Sequence, residues 1–249
     1  MGNLEHEQFI CIDCETTGLD PKEDRIIEIG AVCFSLNEKF HAMEALIDPE
    51  RKISEESMKI HNITDEMVKG KPKISEVLPE LLKLIGDKII VGHGVGFDVQ
   101  LLIHAAERAS IPCKLEKNRI LDTLRLARLY GECPVNSLEQ LRIHFNIEEE
   151  GAHRAMSDVV VNVDVFKMLI KPFKNVNHIF QALEKPIKLK LMPLGKHKGR
   201  LMSDVPLDYL YWAAKLDFDQ DLLYSIRSEI KRRKNGNTFL QASNPFSNL

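Results

Sequence analysis

The sequence predicts an α/β protein built on a mixed, five-stranded β-sheet flanked by helices, with a small C-terminal module appended. Three observations lead there. Apolar runs rich in β-branched residues come first, at Phe9 to Glu15, Ile26 to Phe34 and Phe40 to Ile47, close enough in sequence to form a meander. Short apolar runs at Ile89 to Val91 and Ile120 to Thr123 then alternate with stretches of helical period. Consecutive early strands followed by strand–helix alternation combine antiparallel and parallel pairs in one sheet.

The elements follow in order. Gly18 and Pro21 mark the turn between the first two strands. Two helical stretches separate the third strand from the fourth. The clearer one carries Ile74, Val77, Leu78, Leu81, Leu82 and Ile85, whose spacings of three and four place them on one face. Gly92 to Gly96 is a glycine-rich turn into a helix over 97–110. Further helices are expected over 124–130, over 137–145 with Asn136 or Ser137 as cap, and over 155–170. Asn175, Asn177, Pro186 and alternating lysines change the pattern between Pro172 and Pro193. The expected organisation is therefore a main domain over 1–171, a linker over 172–191, a small basic module over 192–234 and a flexible tail over 235–249.

Composition excludes several classes. With 44% hydrophobic and 29% charged residues in 249, the chain reads as globular. No apolar run reaches the roughly 18–20 residues that a membrane helix needs. Met1 to Gln8 is polar and acidic, so a cytoplasmic protein is expected. Cys11, Cys14, Cys33, Cys113 and Cys133 form an odd, scattered set that argues against a disulfide framework. Cys11 and Cys14 are a poor zinc half-site, since residues three apart on a strand face opposite sides. Charge is unevenly divided. Residues 1–180 carry 22 Lys and Arg against 30 Asp and Glu, a net −8, and residues 181–249 carry 12 against 7, a net +5. An acidic body approaches a polyanion only if cations neutralise its carboxylates or a basic surface holds the strand.

Three motifs carry chemistry. Asp13 and Glu15, two apart on a strand, point to one side of the sheet, and their repulsion is relieved by a cation between them. Thr16, Thr17 and Gly18 extend that motif into a turn. Asp98 opens a helix directly after the turn Gly92-His93-Gly94-Val95-Gly96, a place where an acid also serves simply to complement the helix dipole. Gly151-Ala152-His153-Arg154 leads into a helix with an apolar stripe through Met156, Val159, Val160, Val163, Phe166 and Ile170. Taken alone, Asp158 projects about 140° from that stripe, toward solvent. His153 falls on the preceding loop.

Together, Asp13, Glu15, Asp98, His153 and Asp158 resemble, in order and spacing, the DEDD exonucleases of the histidine subtype. Two further segments support the likeness across residues 7–171. Ile60-His61-Asn62-Ile63-Thr64 is similar to the family's His-Gly-Ile-Thr, and Leu121-Asp122-Thr123 to its Leu-Asp-Thr. The resemblance implies a ribonuclease H-like fold and 3′-to-5′ exonuclease activity that releases nucleoside 5′-monophosphates. It implies two Mg²⁺ or Mn²⁺ ions held by Asp13, Glu15, Asp98 and Asp158, with His153 as general base. Thr16, Gly18, His61 and Phe97 are the positions it places around the terminal nucleotide. Single-stranded DNA or the 3′ ends of DNA are the implied partners, in proofreading or repair, with a polymerase catalytic subunit as a further partner. RNA trimming and a polymerase-accessory, nucleic-acid-binding role are the alternatives. The chain departs from the family pattern at Gly94, where Asn is usual, and at Asn62, where Gly is usual. Asn tolerates the left-handed backbone better than most residues.

Beyond the main domain, Lys185, Lys188, Lys190, Lys196, Lys198 and Arg200 occur with no acid among them. Met192 to Gly199, followed by Val205-Pro206, Asp208-Tyr209-Leu210 and Trp212, resembles a small module of unassigned function that follows some such exonuclease domains. Two readings stand: a grip on nucleic acid, or a solvated turn that staples Trp212 into a miniature core.

Overall fold

The computed structural model describes residues 4–133, 135–148 and 154–242, with side chains described up to residue 235. It divides into two units, Met1–Ala182 and Leu183–Leu249. Among the described residues no helix is long and apolar enough to cross a membrane.

The first unit opens with the strands β1 (Phe9–Thr16), β2 (Ile26–Phe34) and β3 (Lys39–Leu46). Helices α1 (Glu55–His61), α2 (Asp65–Val68) and α3 (Ile74–Ile85) follow, then β4 (Ile89–Gly92), α4 (Gly96–Ala109), β5 (Ile120–Asp122) and α5 (Thr123–Tyr130). The helices α6 (Leu138–His144), α7 (Ala155–Leu169) and α8 (Val176–Leu183) come last. The sheet order is β3-β2-β1-β4-β5. β1 pairs antiparallel with β2 and parallel with β4, while β4 pairs parallel with β5, so the sheet is mixed. β1 extends past β4, because their pairing ends at Cys11 and Val91.

Helices cover both faces of the sheet, which is why every residue of β2 is buried and its sequence does not alternate. On one face Ile10, Ile12, Ile29 and Ala31 join Leu78, Leu81 and Ile85 of α3 and Val99, Leu102 and Ala106 of α4. On the other, α7 crosses β1 and β2. There Phe9, Phe34 and Phe166 form a trio with ring centroids 5.2 to 5.7 Å apart. Gly30 permits this crossing. A Cβ there would lie 2.5 Å from the main-chain carbon of Ala155, so only a bare backbone lets the first turn of α7 touch the strand.

The structure departs from the sequence-based expectation in several places. α7 is buried on more than the expected stripe, with Val161, Asn162, Val165 and Leu169 enclosed and Val160 only half-buried, because α5 and α6 also pack on it. Thr123 begins α5 instead of ending a strand. Residues 172–191 contain α8, whose Val176, Ile179 and Leu183 are buried at helical spacing; the Asn and Pro signals around it masked that period. Ile187 and Leu189 already belong to the second unit, their N–H groups donating to Asp221 Oδ1 at 2.9 Å and Ser225 Oγ at 2.8 Å.

The second unit holds α9 (Leu207–Ala213) and α10 (Gln220–Ala242). They close over a core of Met192, Met202, Val205, Leu210, Ala213, Leu222, Ile226 and Ile230. α10 continues through 235–242, where a tail was expected. No proline intervenes before Pro245, and Gly236 alone costs only about 1 kcal/mol. The rest of the expected tail, 243–249, lies outside the described residues.

Gly30→Ala tests the α7 crossing. Overpacking at this contact is expected to lower stability by about 1–3 kcal/mol, read as a reduced urea midpoint at unchanged slope.

Candidate active site

Asp13 and Glu15 alternate with the buried Ile12 and Cys14 on β1, so the strand pleat sends both acids to the α7 face. Asp158, one turn into α7, meets them there. One carboxylate oxygen from each of Asp13, Glu15 and Asp158 lies within 4.8 Å of the others. Asp98 arrives from the side of β4. Its Oδ1 accepts the Cys14 N–H at 3.0 Å, an amide left free of strand pairing where β1 outruns β4. Asp98 is buried and thus anchors to the neighbouring strand, which the helix-dipole reading did not anticipate.

Two further groups hold α7 in place. Glu28, fully buried on β2 opposite Glu15, accepts from Arg154 Nε at 2.8 Å and from the Ala155 N–H at 2.9 Å. The helix start is thereby pinned to the strand, and Asp158 with it. Asn162 reaches Thr123 Oγ1 at 2.7 Å and Cys11 Sγ at 3.5 Å, linking α7 to α5 and β1. Sequence reading missed Glu28, Arg154 and Asn162. Glu28 left a signal, since it is the only charged residue in the apolar run Ile26 to Phe34.

The turn before Asp98 is held from β5. Asp122 Oδ1 accepts the Gly94 N–H at 2.9 Å and the Leu124 N–H at 2.8 Å, so one carboxylate both caps α5 and fixes the turn. Gly94 has φ +72°, a conformation that suits glycine. His93 Nδ1 lies 3.1 Å from Thr123 Oγ1, and burial holds its pKa down to about 4, keeping the ring neutral.

The expected substrate positions are distributed around this cluster. Thr16 Oγ1 donates to the Gly18 carbonyl, and a Cβ on Gly18 would strike the Asp24 carboxylate at 2.5 Å. The same loop leaves Leu19 86% exposed. His61, only 2% exposed, accepts the Ile63 N–H on Nδ1 at 3.0 Å, which fixes the proton on Nε2. That Nε2 has no partner within hydrogen-bonding geometry. Burial lowers the His61 pKa, opposed by the Thr16 main chain and the Glu28 charge. Asn62, next to it, takes φ 58° at the end of α1, the left-handed position where the family pattern has Gly. Phe97 is half-buried and packs on the core beside Asp98. His153 lies outside the described residues.

Electrostatics confirm crowding. Burial, then the charges of Asp158 and Glu28, raise the Asp13 pKa to about 7. Burial, followed by Asp13, Asp158 and Glu28, raises Glu15 to about 8, with Arg154 opposing. Asp98 is raised by burial and by Asp13, against the lowering effect of the Cys14 N–H and its own. Arg154 does not neutralise the cluster, because its guanidinium is committed to Glu28. A set of carboxylate oxygens with this spacing fits hard divalent cations such as Mg²⁺ or Mn²⁺.

Comparison with known proteins gives the family and the fold. A family model described as an exonuclease matches residues 10–166. A second, for a candidate quorum-sensing-regulated virulence factor, matches residues 181–228. The PolC-type DNA polymerase III of Clostridium perfringens is 33% identical over 222 residues, covering 82% of this chain but only 15% of that protein. The DNA polymerase III subunit epsilon of Treponema pallidum is 33% identical over 193 residues, covering 76% of this chain and 88% of that subunit. Among solved structures, exonuclease X in complex with 5′-overhanging duplex DNA superposes with a TM-score of 0.57 at 24% identity, over 70% of this chain and 98% of that one. The fold is the ribonuclease H-like fold of such exonucleases.

The raised carboxyls set a pH dependence. With folded pKa values near 7 and 8 for Asp13 and Glu15, above the unfolded range of about 4, the folded state binds more protons between those limits. In EDTA, thermal stability should therefore fall as pH rises from about 4 to 8. Mg²⁺ should restore more of it at pH 8 than at pH 5, and Asp13→Asn should flatten the EDTA profile. Melting curves across that range check all three.

Proposed function

We propose that this chain, which belongs to the exonuclease family, removes nucleotides one at a time from the 3′ end of a DNA strand and releases nucleoside 5′-monophosphates. The observation that carries the reading is the meeting of Asp13, Glu15 and Asp158 oxygens within 4.8 Å, with Asp98 anchored beside them through Cys14. These four acids would hold two Mg²⁺ or Mn²⁺ ions, which supply Lewis acidity toward the scissile phosphate and lower the pKa of water. The chain's own groups do the rest. His153, adjacent in sequence to the anchored Arg154, takes the proton of the attacking water as general base, which makes the site one of the histidine subtype. Glu28 and Arg154 keep Asp158 in register with Asp13. The His61 Nε2–H, beside the Thr16 main chain but without a well-formed hydrogen bond, donates to an oxygen of the terminal nucleotide, and Phe97 and the main chain around Thr16 and Gly18 hold its base and sugar. DNA is favoured as substrate by the likeness to polymerase III subunits, which also supports proofreading or repair beside a polymerase catalytic subunit.

The test is a product ladder. End-labelled single-stranded DNA, mispaired duplex and RNA are incubated with Mg²⁺ or EDTA. Stepwise shortening of DNA, faster than of RNA and abolished by EDTA, is expected. Asp13→Ala and Asp158→Ala should eliminate turnover while the melting temperature in EDTA stays level or rises, since a repelling charge is removed. Near-normal activity in Asp13→Ala would overturn the scheme. His153→Ala should reduce kcat by about 10² to 10⁴ with Mn²⁺ affinity retained in calorimetry; lost metal binding at unchanged kcat would reassign it as a ligand.

A further inference from the structure

We infer that the second unit carries a binding platform for single-stranded nucleic acid, in which Trp212 and Tyr209 stack on bases while Lys196, Lys198 and Arg200 hold phosphates. That the strand held is the one being shortened rests on the exonuclease reading; the platform itself rests on the following geometry. Trp212, the chain's only tryptophan, is 52% exposed although its own helix α9 buries Leu210 and Ala213 in the core next to it. Its ring lies 5.1 Å from that of Tyr209, at 45°. Tyr209 in turn has the Lys196 ammonium 5.3 Å from its centroid and the His197 ring edge-on at 4.6 Å. Gly195, at φ +72°, makes this contact possible, because a Cβ there would lie 2.5 Å from the Tyr209 hydroxyl. The turn is thus folded down onto the aromatic ring and places Lys196 against it.

His197 is the independent sign of a ligand. It is 8% exposed, and neither ring nitrogen has a hydrogen-bond partner. A buried donor without an acceptor costs about 1–3 kcal/mol, and both nitrogens are closed to solvent, so an oxygen gains this hydrogen bond only as the turn shifts to admit it. Burial and the Arg200 and Lys196 charges hold its pKa down, and an anion would relieve that repulsion. Lys196, Lys198 and Arg200 are exposed, and among the described residues no carboxylate pairs with them. Over 190–212, Asp204 and Asp208 oppose Lys190, Lys196, Lys198 and Arg200. The exposed Trp212 ring, with the half-buried Tyr209 beside it and cations that no described carboxylate pairs, matches the two halves of an unpaired nucleotide, its base and its phosphate. In a duplex the base faces are already stacked, which selects the single strand.

The lone tryptophan makes its own reporter. The full chain in EDTA, where no hydrolysis occurs, is titrated with a 20-residue oligothymidylate, an oligouridylate and a blunt duplex. Saturable quenching of Trp212 emission by the two single strands, and little by the duplex, is expected. Trp212→Ala should weaken binding of a fluorescein-labelled oligothymidylate by about five- to a hundredfold, with Trp212→Phe retaining most of it. Lys196→Gln and Lys198→Gln should each reduce the slope of log K against log salt by about 0.7. Labelled strand that binds without moving Trp212 emission, or Trp212→Ala and Lys196→Gln that bind as the parent does, overturns the platform. Hydrolysis with Mg²⁺, measured separately, keeps the two readings apart. An active enzyme with a silent Trp212 rejects the platform alone, and tight quenching binding without hydrolysis rejects the exonuclease reading alone.

Discussion

Like charge held at close range is the constraint on which the first unit depends. Three carboxylates with oxygens inside 4.8 Å, and a fourth buried next to them, repel each other in a medium that screens poorly. Such a cluster persists only if each acid is fixed by something other than its neighbours. Asp13 and Glu15 are fixed by the pleat of β1, which at these positions is paired with β2 alone. Asp98 is fixed by the Cys14 amide. Asp158 is fixed at a distance, through Glu28, which takes both the Arg154 guanidinium and the first amide of α7. The residual repulsion is then available to a divalent cation, whose binding removes it.

The same logic explains residues that lack chemistry of their own. Asp122 spends its carboxylate on two main-chain amides, one in the turn that presents Asp98 and one at the start of α5. Thr123 meets the Gly92 carbonyl and Asn162, so that β4, α5 and α7 share one buried polar joint. Removing one member of such a joint strands the others without partners, a larger loss than the single bond suggests. Asp122 and Thr123 thus position the elements that carry the acids.

How much of this was legible depended on whether local pattern and tertiary environment agreed. Asp13 and Glu15 could be read from the two-residue period alone, and α3 from its spacings of three and four. The left-handed turn after His61 could be anticipated from Asn62, and its φ of 58° shows why few other side chains would serve there. Asp158 could not be read from a helical wheel. That projection assumes one buried face, whereas α7 is enclosed by the sheet, α5 and α6, so the side expected to meet solvent meets other carboxylates. Glu28 was overlooked for the opposite reason: a single acid in an apolar strand looks like noise until its partner, 126 residues away, is known. Helix α8 was hidden by Asn and Pro residues whose turn signals outweighed a short amphipathic period.

The uneven charge of the chain follows from the same constraint. The four acids of the cluster are part of the net −8 of the first 180 residues, and that field opposes a polyanion unless cations offset it. Ions in the site neutralise only the last few ångströms of the approach, since at physiological ionic strength a charge is screened beyond about 8 Å. The remainder of a strand needs favourable charge elsewhere on the same polypeptide. A second unit of net +5, joined covalently, supplies it without placing a cationic side chain among the carboxylates, where it would compete with the metal for their oxygens. With the platform inferred above, tethering would raise the local concentration of strand, so that a modest grip would suffice. The excess of basic over acidic groups thus lies in the second unit, away from the carboxylate cluster.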